Sequence, residues 1–148
     1  MIWKPNVTVA AVVERQGRFL IVEEDADGKH VYNQPAGHLD EDESLIKAVT
    51  RETLEETAWH FEPTALVGVY RWKNTHTGIT YLRVCFTGAC HDEETGRPLD
   101  EGIVQAVWLS RDELTALGSR LRSPLVLRCV DDYLAGRRYP LDLLVDMG

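Results

Sequence analysis

Apolar residues near the start of the chain come in two short, nearly unbroken runs. Val7 to Val13 (VTVAAVV) is almost wholly β-branched or small, and Phe19 to Val22 (FLIV) follows the turn Arg15-Gln16-Gly17. Such runs predict strands buried on both faces, joined here as a hairpin. Asp25 to Lys29 is a polar turn, and Val31 to Ala36 runs extended into Pro35, which disfavours helix at Gln34. The period then changes. Leu45, Ala48, Val49 and Thr53 form one stripe of a helix predicted from Ser44 to about Ala58. Asp42 or Ser44 supplies its N-cap, and the acidic loop Gly37 to Glu43 complements the positive end of its dipole. Further strands are predicted at Ala65 to Trp72, Tyr81 to Thr87 and Ala106 to Leu109, the first two linked by the polar turn Lys73 to Gly78. Ser110-Arg111-Asp112-Glu113 is a capping box opening a short helix. Ser123-Pro124 opens another, with Pro at its first position, that runs to about Ala135. Strands dominate, with one early helix and short late ones, so the expected class is a layered α+β domain and not an alternating βαβ fold.

The length of 148 residues suits one domain over the whole chain, and no repeat, linker or low-complexity segment divides it. Composition changes little: 44% apolar and 27% charged residues exclude disordered and collagen-like classes. No apolar run approaches the roughly 18 residues of a membrane span. The opening Met1-Ile2-Trp3-Lys4-Pro5 lacks the basic-then-apolar pattern of a signal peptide, so a cytoplasmic protein is expected. Cys85, Cys90 and Cys129 cannot all pair and form no C-x-x-C, so they read as small buried hydrophobes rather than a disulfide framework or zinc knuckle. Charge changes the picture more. A net −8 is the wrong sign for gripping a long nucleic acid. A polyanionic partner must be small, or bound through a metal ion that inverts the local field.

The acidic residues concentrate on the early helix. Glu52 and Glu56 stand four apart, Glu52 and Glu55 three apart, and Arg51 and Glu55 four apart, so all can converge along one edge. Like charges at that spacing cost a few tenths of a kcal/mol each. One reading is a solvated acidic face. The other is a carboxylate cage for Mg²⁺ or Mn²⁺, which take oxygen ligands and keep free faces for substrate phosphates.

The stretch Gly37 to Trp59, GHLDEDESLIKAVTRETLEETAW, resembles the Nudix box, G-x5-E-x7-R-E-U-x-E-E-x-G-U with U apolar. Gly37, Glu43, Arg51, Glu52, Glu55 and Glu56 stand at the right offsets, while Thr53 and Ala58 depart from an aliphatic residue and a glycine. Ala58 matters if its position is a left-handed helix cap, where a side chain costs roughly 1–2 kcal/mol. Outside the box, WKPNVTVAAVV, NQPAGHLDEDE, LRSPLV and GRRYPLDLL resemble the NudJ-type phosphatase subgroup. The resemblance implies a Nudix α/β/α sandwich with a mixed β-sheet. It also implies metal-dependent hydrolysis of nucleoside tri- and diphosphates and thiamine-pathway pyrophosphates (HMP-PP, thiamine pyrophosphate), with release of phosphate.

By that resemblance the catalytic set is Arg51, Glu52, Glu55 and Glu56, and the metal ligands are Glu52, Glu55, Glu56 and the Gly37 carbonyl. Arg51 orients a carboxylate, Glu43 is an outer ligand or fixes the loop, and a box glutamate or the loop acid Glu101 is the general base. Arg71 and Arg83 are expected to hold phosphates, since Arg suits bidentate phosphate binding. Asn33 and Gln34 are expected to meet a heterocycle edge, with Trp72 as a stacking platform. Arg120, Arg122 and His38 are weaker candidates. The expected partner is a small phosphorylated molecule. The alternatives are an ADP-ribose or nucleoside-diphosphate-sugar pyrophosphatase, and a nucleotide-binding module of the same fold without turnover.

Overall fold

The computed structural model describes residues 1–148. Two sheets lie side by side between helical layers. The first contains β1 (Asn6–Val12), β5 (Ala36–His38), β6 (His60–Lys73) and β7 (Thr80–His91) in the order β5-β1-β7-β6. Its β1–β7 pair is parallel and the others antiparallel, so the sheet is mixed. The second is built on β3 (Arg18–Ala26). One edge of β3 carries β8 (Ile103–Ser110), and its other pairings are with β2 (Glu14–Arg15) and β4 (Lys29–Asn33).

Alternation along β1 explains its unbroken apolar run. Val9, Ala11 and Val13 face a core shared with Ala48 and Val49 of the helix α1 (Leu45–Thr57). Ala10 and Val12 face a second core, closed by Leu114 of α2 (Arg111–Leu117) and by Cys129 and Val130 of α3 (Leu125–Leu134). A strand covered on both faces has no polar positions to alternate with. All three cysteines are buried and free. No helix is long and apolar enough to cross a membrane.

The hairpin expected from the first two runs is reduced to Glu14–Arg15 against Arg18–Phe19, extended by Leu20 N–H donating to Val13 O (3.0 Å). The run itself pairs elsewhere. A β-branched strand buried on both faces is a central strand, and β5 and β7 occupy both edges of β1. The extended segment around Pro35 is likewise two strands, β4 and β5, in different sheets, broken at Gln34-Pro35. Ser44, not Asp42, caps α1, its Oγ accepting from Lys47 N–H at 3.1 Å. Pro124 stands at the N-cap of α3, one residue before the expected position.

Candidate functional site

The site grows from the turn that β5 makes into α1. Glu43 Oε1 accepts from Asp40 N–H (3.0 Å), which closes the acidic loop just ahead of the Ser44 cap. Arg51, at the middle of α1, then ties this loop to the helix. Its Nε and Nη2 hold the two Glu43 oxygens at 2.7 and 2.8 Å, and Nη1 donates to Glu52 and Glu55 at 2.7 and 2.9 Å. Nη2 also donates to the His38 carbonyl at 3.2 Å. These bonds hold the Glu43 carboxyl down at about 2 and push the Arg51 guanidinium further up. Arg51 therefore ties three carboxylates together.

Glu56 is placed differently. It follows Val49 and Thr53 at seven and three residues, on the stripe that faces the core, and only 8% of its surface is exposed. Its Oε1 accepts from Ala36 N–H (2.9 Å), and no Arg or Lys pairs with it. Burial pushes its carboxyl up to about 9, helped by the nearby charges of Glu52, Glu24 and Asp100. Burial also raises Glu52. The Glu52 carboxylate lies against the backbone of Gly37, so that a Cβ there would stand 2.2 Å from it. A side chain at 37 would push the Glu52 carboxylate away from the loop.

Glu52, Glu55 and Glu56 do not close on one point as a ready-made cage, because Arg51 takes two of them and Ala36 N–H the third. The donor chemistry nevertheless fits a divalent cation. Hard oxygens of Glu52 and Glu56 meet the loop at Gly37 and Ala36, and Glu56 is a buried carboxyl that a bound cation would allow to ionise.

A cleft of about 600 Å³ opens over these groups. Gly37, Glu52 and Glu56 line it together with Asn33, Arg83 and Trp72. Arg83 is 5% exposed. Its Nη1 donates to Gln34 Oε1 (2.9 Å) and its Nη2 to Asn33 Oδ1 (3.4 Å), while its buried Nε has no partner. Gln34 lies beneath the wall, donating to Val126 O at 2.7 Å, and supports Arg83 without lining the cleft. Arg71 does not reach the cleft. It is exposed, and the period of two along β6 turns it to the face opposite Trp72. Glu101 is exposed in the loop before β8. Its neighbour Asp100 instead docks on α1, its N–H donating to Glu55 O at 3.0 Å, and its carboxyl is raised by burial and by Glu55. His38 and Arg122 line the cleft, while Arg120 lies outside it on Tyr32, 5.0 Å over the ring.

Tyr81, Glu24 and Ser123 are among the lining residues not singled out from the sequence. Tyr81 pairs in register with Trp72 across the β6–β7 hairpin, and the rings stack at 5.9 Å. The aromatic residues flanking the Lys73–Gly78 turn were a legible signal for that pair. Glu24 and Ser123 had none, since one is an ordinary strand-end acid and the other was read only as a helix start.

The NUDIX domain family model matches residues 3–128. Phosphatase NudJ of Escherichia coli K12 is 40% identical over 144 residues, covering 97% of this chain and 93% of that protein. A NUDIX hydrolase from Nitrosomonas europaea, of known structure, is 50% identical with a TM-score of 0.95, covering 97% of each chain. The Nudix domain of Shewanella oneidensis NrtR, solved with ADP ribose, has a TM-score of 0.71 at 18% identity over 90% of each chain, a likeness of fold. The likeness to the first two relatives runs through both sheets and the helical layers as well as the acidic loop: this chain belongs to the Nudix hydrolases, enzymes that cleave phosphoanhydride bonds.

Proposed function

We propose that the protein removes terminal phosphate from nucleoside tri- and diphosphates and from thiamine-pathway pyrophosphates such as HMP-PP and thiamine pyrophosphate. The observation that carries the reading is the cleft, which brings Glu52 and Glu56 of the box, Arg83 and the Trp72–Tyr81 stack into one small space. A heterocycle fits the stack and a phosphate chain fits the charged end. The likeness to Phosphatase NudJ supports release of phosphate rather than pyrophosphate. Nudix hydrolases generally need a divalent metal. Mg²⁺ or Mn²⁺ is the proposed ion here, with Glu52, Glu56 and the Gly37 carbonyl as ligands and Glu55 joining once released from Arg51. Bound there, the ion would polarise phosphoryl oxygens and acidify the attacking water.

The chain's own residues do the rest. Arg51 holds Glu52 and Glu55 in place, and the Asn33–Gln34–Arg83 network fixes a phosphate-facing guanidinium in the wall. Asp100, not Glu101, is the loop acid beside the box and the better candidate base outside it. The cytoplasm and a small phosphorylated partner, not a long nucleic acid, belong to the same reading.

A panel of nucleoside triphosphates, HMP-PP, thiamine pyrophosphate and ADP-ribose with Mg²⁺, assayed separately for phosphate and pyrophosphate, tests it. Time courses on a triphosphate should show the diphosphate before the monophosphate. Pyrophosphate as the first product, or ADP-ribose as the preferred substrate, would overturn the assignment within the family.

A further inference from the structure

Arg122 is the unexplained cation of the cleft. It lies in the loop ahead of α3, and its N–H donates to Tyr32 O at 2.8 Å, so the origin of its side chain is pinned to β4. From there it reaches into the cleft and pairs with Glu24 of β3. The two partners are unequal: the Glu24 side chain is 14% exposed and that of Arg122 is 49% exposed. The acidic residues and arginines lining the cleft are Glu24, Asp40, Glu52, Glu56, Arg83 and Arg122, four carboxyl groups against two guanidinium groups. Arg83 is buried and committed to Asn33 and Gln34. A phosphate chain entering this acidic space therefore meets one solvent-exposed cation, and that cation is held by a carboxylate.

We propose that Arg122 grips the phosphates of the substrate, and that Glu24 is the residue that stores it in the free protein. This rests on the phosphohydrolase reading above and adds the residue that recognises the anion. The exchange is favourable in charge, because a planar guanidinium gains two hydrogen bonds to a more highly charged phosphate. Glu24 is not stranded by it. Burial raises the Glu24 carboxyl, but the neighbouring Asn33 side chain and the Arg83 charge still favour its ionised form when Arg122 leaves. Glu24 thus competes with substrate for the same side chain, and the two residues should have opposite effects on affinity.

The test is a double-mutant cycle read by calorimetry with a methylene-bridged nucleoside diphosphate, which cannot be hydrolysed, and by KM and kcat on a triphosphate. R122Q should weaken analogue binding roughly tenfold or more, the loss of a charge-assisted pair, and raise KM more than it lowers kcat. R122K should recover part of the loss. E24Q should tighten binding, and should do nothing in the R122Q background. Thermal melting of each variant separates binding from folding. Binding by R122Q within twofold of the parent overturns the proposal, as does an E24Q variant that weakens binding as much as R122Q. The phosphohydrolase reading fails differently, through an unaltered protein that turns over no di- or triphosphate while the binding cycle holds.

Discussion

Glu56 and Glu43 are both box glutamates, yet their surroundings push their carboxyls in opposite directions. Glu56 lies on the core-facing stripe of α1 with only the Ala36 N–H for company, and its carboxyl rises from 4.5 to about 9. The native protein then binds a proton that the unfolded chain releases, so this group's stabilisation is complete below 4.5 and is lost as pH climbs towards 9. Metal-free Glu56→Gln should accordingly be more stable than the parent by on the order of 2–3 kcal/mol at pH 7, with the gap closing near pH 5. The same variant should lose turnover by orders of magnitude and gain less in melting temperature from Mg²⁺ than the parent. Destabilisation by Glu56→Gln at neutral pH would mean that the carboxylate is already paired. Glu43 runs the other way. Arg51 lowers its carboxyl to about 2, so its contribution is present above 4.5 and fades as pH falls towards 2. Glu43→Gln should be less stable at pH 7 and show a flatter acid limb in melts from pH 5 to pH 2. That Arg51 would meet Glu55 was legible from their spacing of four, whereas its pairing with Glu43, eight residues back in the loop, was not. That Glu56 alone would be buried required knowing which stripe of α1 faces the sheet, and the stripe Leu45-Ala48-Val49-Thr53 pointed towards it without naming it.

The early helix shows how far pattern carries and where it stops. Its start and length follow from the Ser44 cap and the apolar stripe, and Thr53, the departure from an aliphatic residue, is fully buried with its hydroxyl donating to Val49 O at 2.8 Å. Its end turns on Ala58, which adopts the left-handed conformation (φ 66°) with its N–H donating to Leu54 O. Three effects of similar size meet there. Relief of the left-handed conformation would return roughly 1–2 kcal/mol to Ala58→Gly. Loss of a buried methyl removes about 0.8 kcal/mol, and the freer unfolded chain takes about 0.4–1 kcal/mol more. The glycine variant should therefore melt close to the parent, whereas Ala58→Val, β-branched at positive φ, should lose about 2 kcal/mol or more. A tolerated valine would show that the helix end relaxes. Strand pairing was less legible than helix position. Periodicity identified the two buried runs, but their partners are fixed by contacts between residues far apart in sequence, such as Val9 with Gly37 and Val84. Arg71 fails as a cleft residue for a related reason. A strand's period of two sorts residues into faces, and which face meets the cleft is decided by the packing of the whole sheet.

At the scale of the molecule, stability and chemistry are carried by different parts. The two apolar cores lie on the two faces of β1 and contain no box carboxylate. The net charge of −8, by contrast, presses on the cleft, where four carboxyl groups share the space with two guanidinium groups. A divalent cation would relieve that repulsion without being needed to assemble either core. Chelation should then abolish activity and leave the fold cooperative. The melting temperature should fall only by the binding free energy of the ion. At a hundredfold excess over Kd that is about 2.7 kcal/mol, or roughly 5–11 °C for a domain of this size. The drop should shrink in Glu56→Gln, where no buried carboxylate needs the ion. Scanning calorimetry with EDTA and with Mg²⁺ reads both quantities on one sample, alongside a turnover assay. Unfolding on chelation would make the metal a structural element of the box loop, and activity that survives EDTA would remove it from the reaction altogether.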